Sequence, residues 1–433
     1  MLAGIGAATV LAWPTASRAQ YLETYFPSSV PGYDQLLGVT VLTRPRPLYE
    51  QPGVHAGGFL IRPSLDEATG YDSNPIGVSS SPGSWLLKTS PSVTANSEWS
   101  RNSLGVSLSA DNYQYWDTPN DNHTNWTTSI GGGYTIGRSD LTLGYSHLSL
   151  NQSPGDIGAV PSDTFVHYQV DDIRSAYTFD LGRISFTPNI DARHYYFDNT
   201  TIQGVPTSQQ YRNRYVLSEG VTTRYALSDR RNLLFVVQGV HSRYTDIPAG
   251  TPTTNSNGVI ALAGLDYEAT GVWRYQVLAG IQFRAFESSV FKSETAPIAE
   301  ASVIWTPTGL TTVTARLARF IEDASTEGTA GYTYTTARLI VDHEYLRNVL
   351  LQGRAGVQLA QYMQSGSGTQ TSFSVGGGVN WLMNRNMRLS ADYDFTTQTS
   401  GSNTTFNGQP NLTTINTGAY NRNLVLVALH FGL

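Results

Sequence analysis

The sequence predicts an all-β protein, a single transmembrane antiparallel up-and-down β-barrel of about 18 strands with short periplasmic turns and long outer loops. Three observations support this fold class. Segments of roughly ten residues alternate between apolar and polar side chains from residue 57 to Leu433. The connections between these segments alternate between short and long. No run of 18 or more apolar residues follows the N-terminal region, which excludes a helical membrane protein.

The composition favours strands and turns over helices. The 433 residues include 25 Tyr and 41 Gly, only 14% of them are charged, and there is no Cys. The absence of Cys fits an envelope protein and equally fits many cytosolic proteins. The formal net charge of −6 and the lack of a concentrated basic patch argue against a nucleic-acid partner.

The N-terminal 56 residues divide into two predicted segments. Residues 1–19 resemble a secretory signal peptide, because an apolar run is followed by Ser17-Arg18-Ala19, a small-x-small cleavage pattern. No Lys or Arg precedes that run, and a buried helix is the alternative. Residues 20–56 form a Pro-rich lead-in that we expect in the periplasm, partly inside the barrel mouth.

The predicted barrel occupies residues 57–433, and its strands follow one another without a break in the pattern. They are 57–71, 84–98, 103–116, 123–137, 140–151, 165–179, 184–196, 211–227, 232–244, 257–269, 273–286, 295–305, 311–321, 332–345, 349–363, 369–382, 387–399 and 420–432.

The connections set the orientation of the predicted barrel. Those after even-numbered strands are brief, as at 181–183, whereas those after odd-numbered strands are long, as at 152–164, 197–210 and 400–419. Outer-membrane barrels have short periplasmic turns, long outer loops and an even number of strands. The two longest loops, 400–419 and 197–210, suit a gate or a lid. A soluble sandwich or propeller is the alternative, but its strands would be shorter.

The polar face of each strand is predicted to line a water-filled lumen. In the eleventh strand, Arg274 and Arg284 lie opposite Tyr275 and Ile281. Burying arginine in a soluble core would cost several kcal/mol unless it were paired, whereas a wet lumen removes that cost. The charged candidates for the lumen are Arg62, Asp66, Lys88, Asp111, Arg174, Asp191, Arg193, Arg214, Arg224, Asp266, Arg274, Arg284, Glu300, Arg316, Arg338, Asp342, Glu344, Arg354, Arg388, Asp392 and Asp394. They either brace the wall as ion pairs or let a weakly anionic polymer slide past.

The sequence contains no recognisable catalytic or metal-binding motif. The eight His have no metal-ligand spacing, so we expect no metal and no cofactor. Asp342-His343-Glu344 is the nearest candidate for an acid–base group, but strand alternation sends His343 to the opposite face from its neighbours. The sequence therefore predicts a protein that is not an enzyme.

The region around residues 40–75 resembles the start of a family of β-barrel porins often found beside exopolysaccharide synthesis genes in Gram-negative bacteria. The resemblance rests on Arg44-Pro45-Arg46-Pro47-Leu48-Tyr49-Glu50, Gly57-Gly58-Phe59, Arg62-Pro63-Ser64-Leu65 and Tyr71-Asp72-Ser73-Asn74-Pro75. It implies an outer-membrane barrel with exopolysaccharide as cargo, working with periplasmic and inner-membrane synthesis or export proteins. Two alternatives stay open, namely a general or solute-selective diffusion porin and a closed barrel that acts as a structural or adhesive surface protein through its outer loops. Outer-membrane lipid is an expected partner of the barrel in each case.

Overall fold

The computed structural model describes residues 22, 24–33, 39–269, 271–325, 330–363, 369–400, 403–405, 414–416 and 418–433. The predicted signal peptide lies outside these residues. The strands of the barrel, numbered β1 to β18, are Phe59–Asp72, Ser84–Ser97, Ser103–Tyr115, His123–Ile136, Ser139–Gln152, Val166–Asp180, Ile184–Phe197, Arg214–Ser228, Arg231–Tyr244, Ser256–Ala269, Trp273–Phe286, Glu294–Thr308, Thr311–Glu322, Tyr332–Leu346, Val349–Tyr362, Thr369–Leu382, Met387–Ser400 and Tyr420–Gly432. Each begins or ends within a few residues of its prediction.

The sheet closes on itself, as the even strand count predicts. Every barrel strand pairs antiparallel with the next, and β18 pairs with β1, so that Val427 lies opposite Thr69. Three shorter antiparallel pairings are also present. Val54–Ala56 pairs with the first residues of β1, Thr200–Ile202 pairs with Val205–Thr207, and Asn403–Thr405 pairs with Thr414–Asn416. No helix in the described ranges is long and apolar enough to cross a membrane.

Two tight turns show why the connections at one end of the barrel can be so short. Gly137 joins β4 to β5 with φ of +66°, and Gly182 joins β6 to β7 with φ of +91°. Residues with a Cβ rarely adopt such positive φ values, so glycine allows the chain to reverse within two or three residues. The long connections at the other end include 153–165 and 198–213.

The two faces of each strand differ in exposure, as strand alternation requires. On β11, Ile281 and Phe283 are 56% and 43% exposed, whereas Leu278 and Arg284 are buried. We call the exposed side the outer face, which contacts lipid in an outer-membrane barrel, and the other side the inner face. The alternation of strand eleven in the sequence predicts the same division, with Ile281 on one face and Arg284 on the other.

The inner face is not polar throughout, and here the prediction of a uniformly polar lumen was wrong. Strands β9 to β12 bury an apolar cluster on that face, made of Leu234, Val236, Ile260, Leu262, Leu278 and Ile298. Both faces of β9 are therefore apolar, since Phe235 and Val237 are exposed on its other side. This is the physical reason why alternation along the ninth predicted strand was ambiguous.

The aromatic residues at the strand ends form an interfacial belt only in part. Trp116 and Tyr196 are exposed on the outside, as such a belt requires. Their neighbours Tyr115, Tyr195 and Phe197 are instead buried on the inner face. Alternation forces this split, because adjacent aromatic residues on a strand point to opposite faces.

Candidate channel site

An N-terminal stretch lies inside the barrel. Leu22 and residues 24–33, which we call the inner segment, pack against the inner faces of β5, β6 and β7. Val30 is fully buried and Leu22 is 2% exposed, and both belong to a hydrophobic cluster that includes Leu148, Val166 and Tyr168. Part of the predicted periplasmic lead-in therefore runs through the interior, because its apolar side chains find buried partners there.

Glycines on the barrel wall make room for the inner segment. A Cβ on Gly131 would overlap the carbonyl oxygen of Pro31, and a Cβ on Gly144 would lie 2.6 Å from Cε2 of Tyr33. Gly131 on β4 is thus explained by the close approach of another backbone, whereas a Cβ on Gly133 would meet the hydroxyl of Ser103 on the neighbouring strand. The sequence shows the glycines but not the segment that uses them.

Beneath the inner segment, four charged side chains form a closed group that we call the charge quartet. Its members, Asp172, Arg174, Asp191 and Arg193, are all buried. Arg174 Nε donates to Asp172 Oδ1 at 2.8 Å, and Arg193 Nε donates to Asp172 Oδ2 at 2.8 Å. Arg193 Nη2 donates to Asp191 Oδ2 at 3.0 Å. Two positive and two negative charges balance each other on neighbouring strands.

The inner segment is attached to the charge quartet by two aromatic rings. The Tyr33 hydroxyl donates to Asp172 Oδ1 at 2.9 Å. The Arg174 guanidinium lies 4.1 Å from the ring centre of Phe26 and 4.5 Å from that of Tyr33. A desolvated cation over aromatic rings is favourable by roughly 2 kcal/mol. Asp172 was missing from the predicted lumen residues, although it shares the strand face of Arg174.

A second charged group lies toward the outer end of the inner face. Arg214 Nε donates to Asp323 Oδ2 at 3.0 Å, and Arg284 pairs with the other oxygen of Asp323. Burial raises the pKa of Asp323, but Arg284 and Arg214 outweigh that effect and lower its pKa below the ordinary value. A cavity of ≈ 40 Å³ next to Arg284 has room for water and none for a sugar ring.

The loop between β5 and β6, residues 153–165, crosses the outer opening. The backbone N–H of Gly158 donates to Gln370 Oε1 of β16 at 3.1 Å. Gly158 also approaches Tyr332 of β14 so closely that a Cβ would lie 2.6 Å from the phenol oxygen. Because β14 is nine strands from β5 in a barrel of eighteen, the loop spans the full width of the opening. Of the two longest predicted loops, 400–419 lies mostly outside the described residues. The other, 198–213 in the structure, also reaches across the opening, since the Tyr211 hydroxyl donates to the carbonyl oxygen of Ser325 at 2.8 Å.

The crossing loop carries a carboxyl group, that of Asp156, and we expect the position of the loop to depend on the ionisation of this group. Burial raises the pKa of Asp156 from 3.8 to about 6. In a displaced, solvated loop the pKa is the ordinary one, so the inward position loses stability as the pH rises from about 4 to about 6. We therefore expect conductance in planar bilayers to fall when the pH is lowered from 7 to 4.5.

Two variants test this pH dependence. Asp156→Asn should remove it, because the amide does not titrate. Glu287→Gln, which changes an exposed carboxyl group on another outer loop, should leave it in place. A wild-type conductance that stays constant over the same pH range would contradict the expectation.

The remaining wall of the interior is charged and open to water. Arg354 donates to Asp392 at 3.0 Å and to Asp394 at 2.9 Å, and all three side chains are between a quarter and half exposed. Lys88 pairs with Asp111 at 2.9 Å in the same way. Strands β15 to β18 and β1 to β3 thus carry an accessible mixed-charge surface, whereas β5 to β8 are covered.

The periplasmic end is tied to the lead-in by the residues that carry the family resemblance. Arg46 Nη2 donates to Glu344 Oε2 at 2.9 Å, and Arg44 pairs with the same carboxylate. Arg46 also donates to the carbonyl oxygen of Val41 at 2.7 Å. The two arginines therefore hold the chain where it leaves the inner segment and turns toward β1.

The assignment of the remaining charged candidates to the lumen stays a prediction. They are Arg62, Asp66, Arg224, Asp266, Arg274, Glu300, Arg316, Arg338, Asp342 and Arg388, and the strand registers give the cross-strand partner of each. Sequence reasoning missed Asp72, which binds Arg422 at 3.0 Å, and Asp323, which lies in a loop without alternation.

The candidate acid–base group at residues 342–344 is not assembled. Asp342 accepts a hydrogen bond from Gln352, Glu344 binds the lead-in arginines, and His343 lies on the outer face beside Thr311 at 3.0 Å. In the described residues, no cluster of His, Asp and Glu could hold a metal ion.

Comparisons with known proteins identify a family and two similar solved structures. A family model described as putative beta-barrel porin 2 matches residues 46–416. No curated protein matches the chain. The chain is similar to the FrpB iron transporter from Neisseria meningitidis, with 8% identity, a TM-score of 0.45, and coverage of 93% of this chain and 84% of that one. It is also similar to Pseudomonas aeruginosa OccK2 in complex with glucuronate, with 10% identity, a TM-score of 0.45, and coverage of 87% and 98%.

Proposed function

This chain belongs to the putative beta-barrel porin 2 family and is an outer-membrane β-barrel of a Gram-negative bacterium, and from that premise we propose that it is a channel for the export of exopolysaccharide. Passage is passive and depends on periplasmic and inner-membrane partners that make and deliver the polymer. The family and the fold indicate a channel rather than an enzyme for this role.

The observation that carries the proposal is a pair of arginines that face each other across neighbouring strands, where the carboxylate of Glu300 acts electrostatically on Arg316. Arg316 of β13 lies directly opposite Arg338 of β14. In the described residues neither forms an ion pair, unlike Arg174, Arg193 and Arg354. Like charges directly opposite each other destabilise a sheet, so a functional reason for keeping them is a passing anionic group such as a sugar carboxylate.

The accessible mixed-charge wall supports the same proposal. Its carboxylates and guanidinium groups are already paired with each other, as at Arg354, Asp392 and Asp394. Paired charges offer many weak hydrogen bonds to hydroxyl groups without holding an ion tightly. A hydrated polymer can move along such a surface because no single contact is strong.

A solute porin is the second candidate, and the constriction favours it. The crossing loop at 153–165 and the inner segment both reduce the width available to a polymer. If they stay in place during transport, only small solutes can pass. If they move, a polymer chain can pass as well.

Deletion of the gene separates the two candidates. For an exporter, we expect the polymer to be made but to stay with the cells, while uptake of small solutes is unchanged. Normal polymer outside the cells together with slow growth on a scarce small nutrient would overturn the export proposal and favour the solute porin. Restoring the gene must reverse either phenotype.

Ion selectivity tests the role of the two facing arginines. Replacing Arg316 and Arg338 together by Gln should shift the reversal potential in planar bilayers toward cation selectivity, because two positive charges are removed and the carboxylate of Glu300 remains. Arg354→Gln is the matched control. It removes one guanidinium group beside Asp392 and Asp394, whose charges are partly exposed and therefore screened by water and salt. A larger shift in the control than in the double variant would contradict the assignment.

A further inference from the structure

One serine, one histidine and one aspartate meet on the outer face near the outer rim. Ser149 Oγ lies 2.9 Å from His167 Nε2, and His167 Nδ1 lies 2.6 Å from Asp198 Oδ2. We propose that this group is the catalytic triad of an esterase that acts on acyl esters of lipids in the outer leaflet. This activity is separate from the channel and does not depend on its cargo.

The strand registers bring the three residues together. Asn151 of β5 pairs with His167 of β6, so Ser149 is the diagonal neighbour of His167 on the same face. Asp198 directly follows β7, and its backbone N–H donates to the carbonyl oxygen of His167 at 3.0 Å. Three different elements therefore fix the serine, the imidazole ring and the carboxylate relative to each other.

The imidazole ring has the orientation that general-base catalysis needs. With the Nδ1–H group donating a hydrogen bond to Asp198, Nε2 is free to accept the proton of the Ser149 hydroxyl. Asp198 is a positioning residue, since it fixes this tautomer and stabilises the imidazolium that forms. All eight histidines lie in the described ranges, and among them only His167 has a serine hydroxyl on one ring nitrogen and a carboxylate on the other.

Two N–H groups flank the serine and can stabilise an oxyanion. Trp126 of β4 and Gln169 of β6 are the direct cross-strand partners of Ser149. In the described part of the chain, neither side chain forms a hydrogen bond, so the indole N–H and the amide N–H are available. Ser149 is 5% exposed, and the ester must reach it between these two side chains.

The reaction that follows from this arrangement is ester hydrolysis in two steps. Ser149 Oγ attacks the ester carbonyl carbon while His167 Nε2 takes the hydroxyl proton. The C–O bond to the alcohol breaks, the alcohol leaves with that proton, and the acyl group stays on Ser149. Water then attacks the acyl carbon, His167 takes its proton and returns it to Ser149 Oγ, and the fatty acid is released.

The position of the triad indicates the class of substrate. His167 is the second residue of β6 and Asp198 follows the last residue of β7, so the group lies at the outer boundary of the membrane. Exposed Trp126 and Tyr196 belong to the same face. In membrane lipids, the ester bonds lie at the boundary between headgroup and acyl chain, which is the depth of this group.

Other histidine–acid pairs on the outer face lack the nucleophile and provide the control. His241 of β9 has Nε2 2.8 Å from Glu219 Oε1 and Nδ1 2.7 Å from Asn257 Oδ1. His241→Asn therefore removes an outer-face histidine four strands away from Ser149 and leaves Ser149, His167 and their neighbours in place.

The first experiment measures hydrolysis and covalent labelling by the full-length protein in mixed micelles. We expect hydrolysis of p-nitrophenyl palmitate, and labelling of Ser149 by a fluorophosphonate, identified by mass spectrometry. Ser149→Ala and His167→Asn should lower the hydrolysis rate by about 100-fold or more, and His241→Asn should not change it. Faster turnover of p-nitrophenyl acetate than of the palmitate would overturn the lipid assignment. A wild type no faster than Ser149→Ala would overturn the esterase.

Asp198→Asn tests the positioning role by the pH profile. Without the carboxylate the imidazolium is less stable, so the midpoint of the acidic limb of the rate should move to lower pH. A purely structural residue would lower the yield of folded barrel and leave that midpoint unchanged.

A second variant does not depend on the choice of ester. Because the chain has no Cys, Ser149→Cys introduces a single thiol. At pH 7 we expect iodoacetamide to alkylate it faster than in the Ser149→Cys, His167→Asn double variant, because His167 favours the thiolate. Equal rates in the two folded barrels would overturn the triad.

Discussion

Deletion of residues 22–33 is expected to raise the single-channel conductance of the barrel several-fold. The inner segment fills the space in front of β5 to β7, and an eighteen-stranded barrel without such a filling leaves an aqueous channel. A milder variant, Phe26→Ala with Tyr33→Ala, removes the rings that bind Arg174 and should give frequent openings to the same high level. Planar bilayer recordings measure both effects.

Cysteine labelling shows whether the inner segment occupies the interior in the intact protein. Val30→Cys should react slowly with a water-soluble thiol reagent, because Val30 is fully buried. Val39→Cys is the matched control, since Val39 is 67% exposed on the same lead-in. Equal labelling rates together with an unchanged conductance after the deletion would show that the segment does not block the channel.

The barrel itself could be predicted because its signals are local. Alternation along each strand, short turns at one end and an even number of strands are all visible within tens of residues. Strand eleven illustrates this, since Ile281 and Arg284 lie on the faces that their spacing predicts. Alternation is ambiguous where both faces are apolar, as at Val236 and Val237, and where the outer face carries polar residues, as at His167.

The filling of the barrel could not be predicted because it depends on contacts between distant residues. Tyr33 and Asp172 are 139 positions apart, and no local pattern relates them. The glycines at 131 and 144 record the close approach of another backbone without indicating which one it is. Charged residues such as Arg174 could be assigned to the inner face, but whether that face is wet or covered is a property of the whole chain.

The outer-face triad escaped sequence reasoning for a related reason. Ser149, His167 and Asp198 lie on two strands and a loop, and neither their spacing nor their neighbours form a known motif. The adjacent residues 342–344 attracted attention instead, although neighbours on a strand point to opposite faces. Only the registers of β5, β6 and β7 bring the three side chains together.

Asp172→Ala is expected to lower the free energy of unfolding by about 3–5 kcal/mol, the cost of breaking a buried ion pair from one side. Asp172 is fully buried and accepts hydrogen bonds from Arg174, Arg193 and Tyr33. Its loss leaves two buried guanidinium groups with Asp191 alone. Unfolding by urea in detergent micelles measures the change.

Two further variants test whether charge balance in the charge quartet causes this loss of stability. Asp392→Ala removes a carboxylate from Arg354 on the accessible wall, where Asp394 remains 2.9 Å away, so its cost should stay below about 1 kcal/mol. Combining Asp172→Ala with Arg193→Ala leaves Arg174 and Asp191 as a neutral pair 3.3 Å apart and should recover part of the stability. If the double variant is instead less stable than Asp172→Ala by the full cost of a second buried side chain, packing rather than charge holds this part of the barrel together.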